Sequence, residues 1–336
     1  MADNTAIEWT DATWNPVTGC SIVSPGCTNC YAMRLAGTRL KHTPSRAGLT
    51  KDTKAGPVWN GQVRFNEGWL DQPLRWKRPR RIFVCAHGDL FAENVPDEWI
   101  DRVFAVMALS PQHTFQVLTK RAARMRAYCD NRGGGVSRRV SMIAKNTLIR
   151  WPLPNVWLGV SAERQQEADE RIPDLLATPA AIRFVSAEPL LGPIDFTRIV
   201  NRDPAKFSWL NYWPRLNALT GNYPLIEETR DPHPERLHWI IVGGESGPGA
   251  RPMHPAWARA IRDQCVAAGV PFFFKQWGEW VTEDQSPEDI VLPGTSRRHW
   301  GISQPSAYNV GKRRAGRLLD GIEHNGFPGI AEVPFQ

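Results

Sequence analysis

The sequence predicts an α/β fold, a complete or partial parallel (β/α) barrel, and three observations predict it. Short apolar runs rich in β-branched and aromatic residues recur along the chain. Each is followed by polar residues and then by a stretch with helical periodicity. The alternation repeats roughly seven times, which suits a barrel better than a small open sheet.

Taken in order, the segment from Ile7 to Cys20 forms a short first strand that runs directly into a cysteine-rich loop, and Tyr31 to Leu40 reads as a helix. Six further strands are expected at Ile82 to Cys85, Phe115 to Leu118, Val156 to Val160, Ile182 to Ser186, Trp239 to Val242 and Phe272 to Lys275. Between them lie amphipathic helices. Pro96 to Leu109 has Asn94 as its cap and Pro96 in its first turn, and His254 to Ala268 closes on Gly269. Residues 41–81 read as irregular, ending in the basic run Arg75 to Arg81, a solvated flank or a nucleic-acid contact. Residues 130–155, with Gly133 to Gly135 and Arg138-Arg139, and 197–237, with Trp209, Tyr212, Trp213 and Tyr223, interrupt the rhythm. Both read as insertions within a single domain spanning 1–336, the second as a lid.

At 336 residues the chain is long enough to bury a sizeable core. The N-terminus, Met1 to Thr5, is polar and lacks a basic-then-apolar signal pattern, and nowhere do eighteen apolar residues run together. The expectation is a cytoplasmic protein with no membrane partner. A formal net charge of +7 attracts polyanions, although many proteins with such an excess never touch nucleic acid. The fifteen tryptophans serve cores and pockets more often than base stacking.

Three of the six cysteines fall within eleven residues, Cys20, Cys27 and Cys30, spaced C-x6-C-x2-C. In a reducing compartment such a cluster argues for metal or redox use rather than cross-links, and Cys85, Cys129 and Cys265 lie scattered far downstream. Pro25-Gly26 can turn the backbone so that all three thiolates reach one centre. Iron–sulfur and zinc both fit: zinc needs a fourth ligand from elsewhere, whereas a four-iron cluster on three cysteines leaves one iron open.

In a parallel β/α barrel the groups just after each strand converge on one mouth. Here they are His87 and Asp89, Thr119 and Lys120, Ser161 and Glu163, Ser186 and Glu188, Glu245 and Ser246, then Lys275, Gln276 and Trp277. The cysteine loop opens onto the same mouth. Gly243-Gly244-Glu245-Ser246-Gly247 follows an apolar strand and can bring backbone close to a cofactor, but it matches neither the dinucleotide fingerprint nor a phosphate loop.

Three cysteines on the loop after the first strand of a parallel barrel resemble the radical S-adenosylmethionine superfamily, where three thiolates hold a 4Fe-4S cluster and the cofactor occupies the open iron. The first gap is three residues longer than that superfamily's C-x3-C-x2-C, and Asn29 precedes the last cysteine where an aromatic is common, with Tyr31 just beyond. Its early Gly-Gly-Glu motif is replaced here by Ala86-His87-Gly88-Asp89. Phe115 to Lys120, Val160 to Glu163 and Ala187 to Leu190 resemble the spore photoproduct lyase-like branch, which acts on DNA. Over nearly its full length the chain is similar to a phage- and prophage-borne three-cysteine family of unassigned function, through Trp14 to Cys20, Pro25 to Cys27, Asn29 to Ala32, Gly243 to Pro252, Phe273 to Gly278 and Lys312 to Gly321. That family is described beside a three-Cys-motif partner protein, which implies a protein partner.

The resemblance implies a barrel of the radical S-adenosylmethionine type. It also implies an iron–sulfur enzyme that cleaves S-adenosylmethionine to a 5′-deoxyadenosyl radical and acts on a nucleic acid or nucleotide in a phage or prophage context. Cys20, Cys27 and Cys30 would hold the cluster. Tyr31, Asp89, Glu163, Glu188, Gly243, Gly244 and Glu245 are the candidates for binding the cofactor, and Lys120 and Lys275 for holding an anionic substrate. The rivals are an iron–sulfur protein without radical chemistry and a zinc-stabilised nucleic-acid-binding protein.

Overall fold

The computed structural model describes residues 5–145, 147–203, 207–208, 210–223, 235–286, 295–301 and 304–329. Residues 1–4 of the polar N-terminus and Trp209 lie outside them. Seven strands form one sheet: β1 (Ala12–Trp14), β2 (Arg81–Val84), β3 (Thr114–Thr119), β4 (Val156–Ser161), β5 (Ile182–Ala187), β6 (Trp239–Gly243) and β7 (Phe272–Gln276). They pair in chain order and all in parallel. Each expected strand is present to within a residue or two except the first, whose regular part is confined to three residues.

The sheet curls, and its two faces bury different cores. Alternation along a strand sends successive side chains to opposite faces. On the outer face Ile82, Val84, Val117, Leu158, Val185, Ile240 and Val242 pack with Ile100, Phe104, Met125, Ile172, Leu175 and Ile261 of the surrounding helices. On the inner face Trp157, Phe184, Trp239, Ile241 and Phe273 meet one another around Trp9, with Phe83 and Leu118 at the margin. Trp9 sits 4.8 Å from Phe83 and 6.2 Å from Trp239, ring centre to ring centre, so a residue three positions ahead of β1 touches the far side of the sheet. A sheet with an aromatic interior of its own is a half-barrel. Among the described residues β1 and β7 do not pair; the outer edge of β7 is covered by residues 324–326, which exchange backbone hydrogen bonds with Phe272 and Phe274. A covered edge cannot template further pairing.

Among the described residues the helices longer than one turn are α1 (Tyr31–Gly37), α2 (Asp97–Ala108), α3 (Ala122–Cys129), α4 (Gly135–Ile143), α5 (Gln165–Leu176) and α6 (Pro255–Ala268). In α6 the Nδ1 of His254 accepts from the Ala256 amide, and Gly269 closes the helix at φ 63°. The N-cap of α2 is Pro96 rather than Asn94, whose amide instead donates to the Gly61 carbonyl at 2.9 Å.

Three segments depart from their sequence reading. Residues 41–81 are not irregular: Thr50–Thr53 and Gly56–Trp59 form an antiparallel hairpin that packs Leu49 and Trp59 on Ala32, Met33 and Ala36 of α1. The basic run is largely occupied, with Arg75 paired to Asp71, Arg80 stacked on Trp76 at 4.8 Å and Arg81 held by Asp11. It precedes β2 and so lies at the end of the sheet opposite the strand-end polar residues. Residues 130–155 supply α4, which lays Val136 and Val140 on α2. The described part of 197–237 is not a lid. Ile199–Val200 pairs with Arg215–Leu216, the Val200 amide donates to Asp169 of α5, and Ile199, Leu216 and Leu219 join the outer core.

Gly159 of β4 leaves room for the Phe184 ring, because a Cβ there would lie 2.5 Å from it. Gly159→Ala is expected to destabilise the protein by about 1–3 kcal/mol through overpacking. Urea unfolding followed by tryptophan fluorescence checks this, and an unchanged midpoint would contradict the aromatic interior.

Candidate active site

The site is built at the C-terminal end of the sheet. After β1 the chain crosses the turn that follows β2: the Gly19 amide donates to His87 O at 3.2 Å, and the Cys85 amide donates to Trp14 O at 2.7 Å. Cys85 turns the chain there with φ 58°, a conformation non-glycine residues rarely adopt. The cysteine loop follows, makes one 3-10 turn at Pro25–Cys27, and hands over to α1 with Cys30 as the N-cap. Cys20, Cys27 and Cys30 are free thiols that line a single cavity of about 560 Å³.

The cavity also reaches Tyr31, Asp89, Lys120, Glu188, Gly244, Glu245 and Lys275. Ten of the twelve residues singled out from sequence therefore share one space; Glu163 and Gly243 do not line it. The rest of the wall includes Trp9, Phe83 and Leu118 from the aromatic interior, and His87, Arg121, Ser186 and Ser246 from strand ends. It is a polar rim over an apolar floor.

Several carboxylates in and beneath the cavity wall already have partners. Glu163 is fully buried beneath the cysteine loop, ion-paired to Lys120 and to Arg171 at 3.1 Å, and accepts from the Ser24 hydroxyl at 2.8 Å. Burial pushes its carboxyl up, but the charges of Lys120 and Arg171 outweigh this and hold it below the usual range. Gly26 is the close approach that permits this, since a Cβ would lie 2.2 Å from Glu163 Oε1. Glu245 accepts from Asn29 at 3.0 Å and from the Arg251 amide and Nε at 2.8 Å each, and Arg251 continues to Pro25 O at 3.0 Å. Burial is again outweighed, here by these hydrogen bonds, and the Glu245 carboxyl stays low. Asp89 accepts four hydrogen bonds, from the Phe91 and Lys120 amides, Thr119 Oγ1 and Arg121. These three carboxylates hold the loop and its supports, so the cofactor-binding reading of Glu163 gives way to an anchoring one.

A different pair stands open to the cavity. Lys275 Nζ lies 2.7 and 3.0 Å from the two oxygens of Glu188, and Gln276 bridges from Glu188 to Ser246. Gly243 keeps space for the Glu188 carboxyl, and Gly244 for the backbone of Trp277. Both expected substrate-binding lysines are thus engaged by carboxylates. The Tyr31 hydroxyl donates to Ala86 O, and its ring meets His87 edge-on. Arg46 donates to His87 Nδ1 at 2.8 Å, and burial together with that guanidinium drops the imidazole to about 4. His87 is therefore neutral with its proton on Nε2, a hydrogen-bond donor in the cavity wall.

The sulfurs have donors of their own. Arg121 Nη1 donates to Cys20 Sγ at 3.3 Å, the Trp59 indole and the Ala32 and Met33 amides donate to Cys30, and Ser24 Oγ is 3.9 Å from Cys27. Burial raises the Cys20 thiol to about 12 and Asp89 pushes the same way, with Arg121 opposing. A set of three thiols on one cavity, two of them facing donors that stabilise sulfur anions, fits a thiolate-ligated metal group. Metal binding then displaces the protons. Among the described residues no group of three or more Cys, His, Asp or Glu side chains is placed to hold a single metal ion. Sequence reading missed Arg121, Trp59, Arg46 and Arg251. The only signal for Arg121 was its place beside Lys120.

Glu163→Gln leaves Lys120 and Arg171 without their buried partner, and a loss of about 3–5 kcal/mol is expected at pH 7. The folded carboxyls of Glu163 and Glu245 lie below their unfolded values. Their contribution is therefore full above about pH 4.3 and lost as pH falls through the folded values. Urea midpoints measured from pH 7 down to pH 3 should hold steady and then drop, with a smaller drop in Glu163→Gln.

No curated protein matches the chain. Among solved structures it is similar to spore photoproduct lyase complexed with dinucleoside spore photoproduct, at 11% identity and TM-score 0.35, covering 87% of this chain and 66% of that one. It is also similar to a doubly substituted variant of that lyase with bound AdoMet and dinucleoside spore photoproduct, at 10% identity and TM-score 0.36, covering 88% and 67%. The chain spans about two thirds of the length of these lyases. Residues 4–328 match the family described as a protein of unknown function, DUF5131, and the chain belongs to that family.

Proposed function

We propose that the protein is a radical S-adenosylmethionine-type iron–sulfur enzyme that acts on a nucleic acid or nucleotide. The observation that carries this reading is the meeting of Cys20, Cys27 and Cys30 with polar strand-end residues of β2, β3 and β5 to β7 in one cavity. Cys20, Cys27 and Cys30 would hold a 4Fe-4S cluster, and three thiolates leave one iron for S-adenosylmethionine. When bound, the cluster and cofactor supply a one-electron reductive cleavage of a carbon–sulfur bond and hydrogen abstraction from substrate.

This chain's residues bind, orient and exclude water. The Glu188–Lys275 pair presents a carboxylate and an ammonium side by side, a complement to a zwitterionic amino-acid group, with Ser246 reached through Gln276. His87 Nε2 offers a neutral donor, and Trp9, Phe83 and Leu118 form an apolar floor against which a flat ring can lie. Support for a polyanionic substrate comes from the net charge of +7 and from Lys312 in the cavity wall, followed by the exposed Arg313 and Arg314. A three-Cys-motif partner protein belongs to the same reading.

Anaerobically prepared protein is expected to contain iron and sulfide and, with dithionite and S-adenosylmethionine, to release 5′-deoxyadenosine; Cys27→Ala should lose both. Colourless protein with zinc and no iron would overturn the reading. Binding of a labelled oligonucleotide should weaken on a log–log line as salt rises from 50 to 200 mM, with a slope of about −0.9 per phosphate contact on duplex DNA and −0.7 on single strands. Absent or salt-insensitive binding would remove nucleic acid from the proposal and leave the radical chemistry standing.

A further inference from the structure

Two side chains from outside the cysteine loop point N–H groups at its sulfurs. Arg121, the second residue past β3, is only 7% exposed, and its guanidinium is fixed on every side. Nε donates to Glu93 at 3.0 Å and Nη2 to Ser21 O at 3.0 Å, while Nη1 lies 3.3 Å from both Cys20 Sγ and Asp89 Oδ2. Trp59, at the end of the hairpin that buttresses α1, is 6% exposed and donates its indole N–H to Cys30. Cys30 also takes the Met33 and Ala32 amides of its own helix. Cys27 has the Ser24 oxygen at 3.9 Å, and Ser24 gives its hydrogen to Glu163. The three sulfurs are therefore unequally supplied, with a charged donor at one, neutral donors at another and a weak contact at the third.

We propose that Arg121 and Trp59 are positioning residues that set how readily the group held by Cys20, Cys27 and Cys30 accepts an electron. The inference rests on the reading of that group as an iron–sulfur cluster. An N–H donor withdraws electron density from a thiolate sulfur and so favours the more negative, reduced state; hydrogen bonds to the sulfurs are among the levers on cluster potential. Asp89 and Glu93 offset much of the guanidinium's net charge, so what reaches Cys20 is chiefly a directed N–H. Only an arginine fork can serve Glu93, Ser21, Asp89 and Cys20 together, since a lysine brings one nitrogen.

The test is the midpoint potential of the cluster in the reconstituted full-length protein, followed by the electron paramagnetic resonance signal during redox titration. In Arg121→Gln the reduced fraction at fixed potential is expected to fall about tenfold, a shift of about 59 mV to more negative values for a one-electron couple. Trp59→Phe, which keeps an aromatic ring but loses the N–H together with the smaller ring that carries it, should shift the same way by less. Ser21→Ala removes the hydroxyl that Nη2 also reaches, keeps the backbone oxygen and touches no sulfur contact, and it should leave the midpoint in place. Wild-type midpoints in Arg121→Gln and Trp59→Phe would overturn the proposal, as would a Ser21→Ala shift as large as that of Arg121→Gln, because that is the mark of a loosened loop. If Arg121→Gln does not fold, Trp59→Phe decides alone. Wild-type protein that holds a cluster but releases no 5′-deoxyadenosine would sink the reaction and leave this test intact; wild-type protein without iron would sink both.

Discussion

The site depends on buried carboxylates that tie the cysteine loop to strand ends. A loop of eleven residues from Cys20 to Cys30 has one short 3-10 turn and little backbone pairing of its own. Holding it in one conformation costs about 1–2 kcal/mol per residue in backbone entropy. Glu163 from beyond β4 meets Ser24, Glu245 from beyond β6 meets Asn29 and the Arg251 that reaches Pro25, and Asp89 holds the Arg121 that reaches Cys20 and Ser21. Each tether ends on a rigid sheet, so the loop inherits the sheet's geometry. Carboxylates and cations are costly to bury alone and strongly held when paired, which makes these links specific as well as firm.

The sheet can supply such tethers because its interior is filled. If the inner face were hollow, strand-end positions would shift with the curl of the sheet. Instead Trp9, Phe83, Trp157, Phe184, Trp239 and Phe273 pack across it, and Gly159 is the concession that lets Phe184 in. The outer core fixes the helices and the inner core fixes the curvature. Curvature in turn sets how closely Glu188 of one strand end approaches Lys275 of another, and so the width of the cavity.

Much of this was legible in the sequence. The strands announced themselves because a parallel strand buried on both faces is a nearly unbroken apolar run, as Trp239 to Val242 is. The cysteine spacing identified the metal-ligand candidates, and the alternation placed them at the right end of the barrel. What could not be read was partnership. Glu163 and Glu188 have the same local appearance, a glutamate just past a strand, yet one is buried under a loop and the other faces a cavity. Nothing in either neighbourhood encodes Gly26, 137 residues before Glu163, as the reason. In the described part of 197–237 the lid reading fails on similar grounds. Aromatic and proline-rich stretches pack outward or inward with equal ease, and here Asp169 of α5 captured the Val200 amide on the outside.

The division of labour among the acidic residues narrows what the cavity can recognise. With Asp89, Glu163 and Glu245 taken up by anchoring, the polar groups left on the cavity wall for a bound molecule include Glu188, Lys275, Ser246, Lys312 and, beside Tyr31, His87. One cavity thus offers thiols, paired charges and aromatic surface together. A small symmetric anion would meet one of these and leave the rest unused. A molecule with a charged head, a flat ring and a group that can approach the cysteines would use all three, and that shape constrains the search for what this protein binds more tightly than its net charge does.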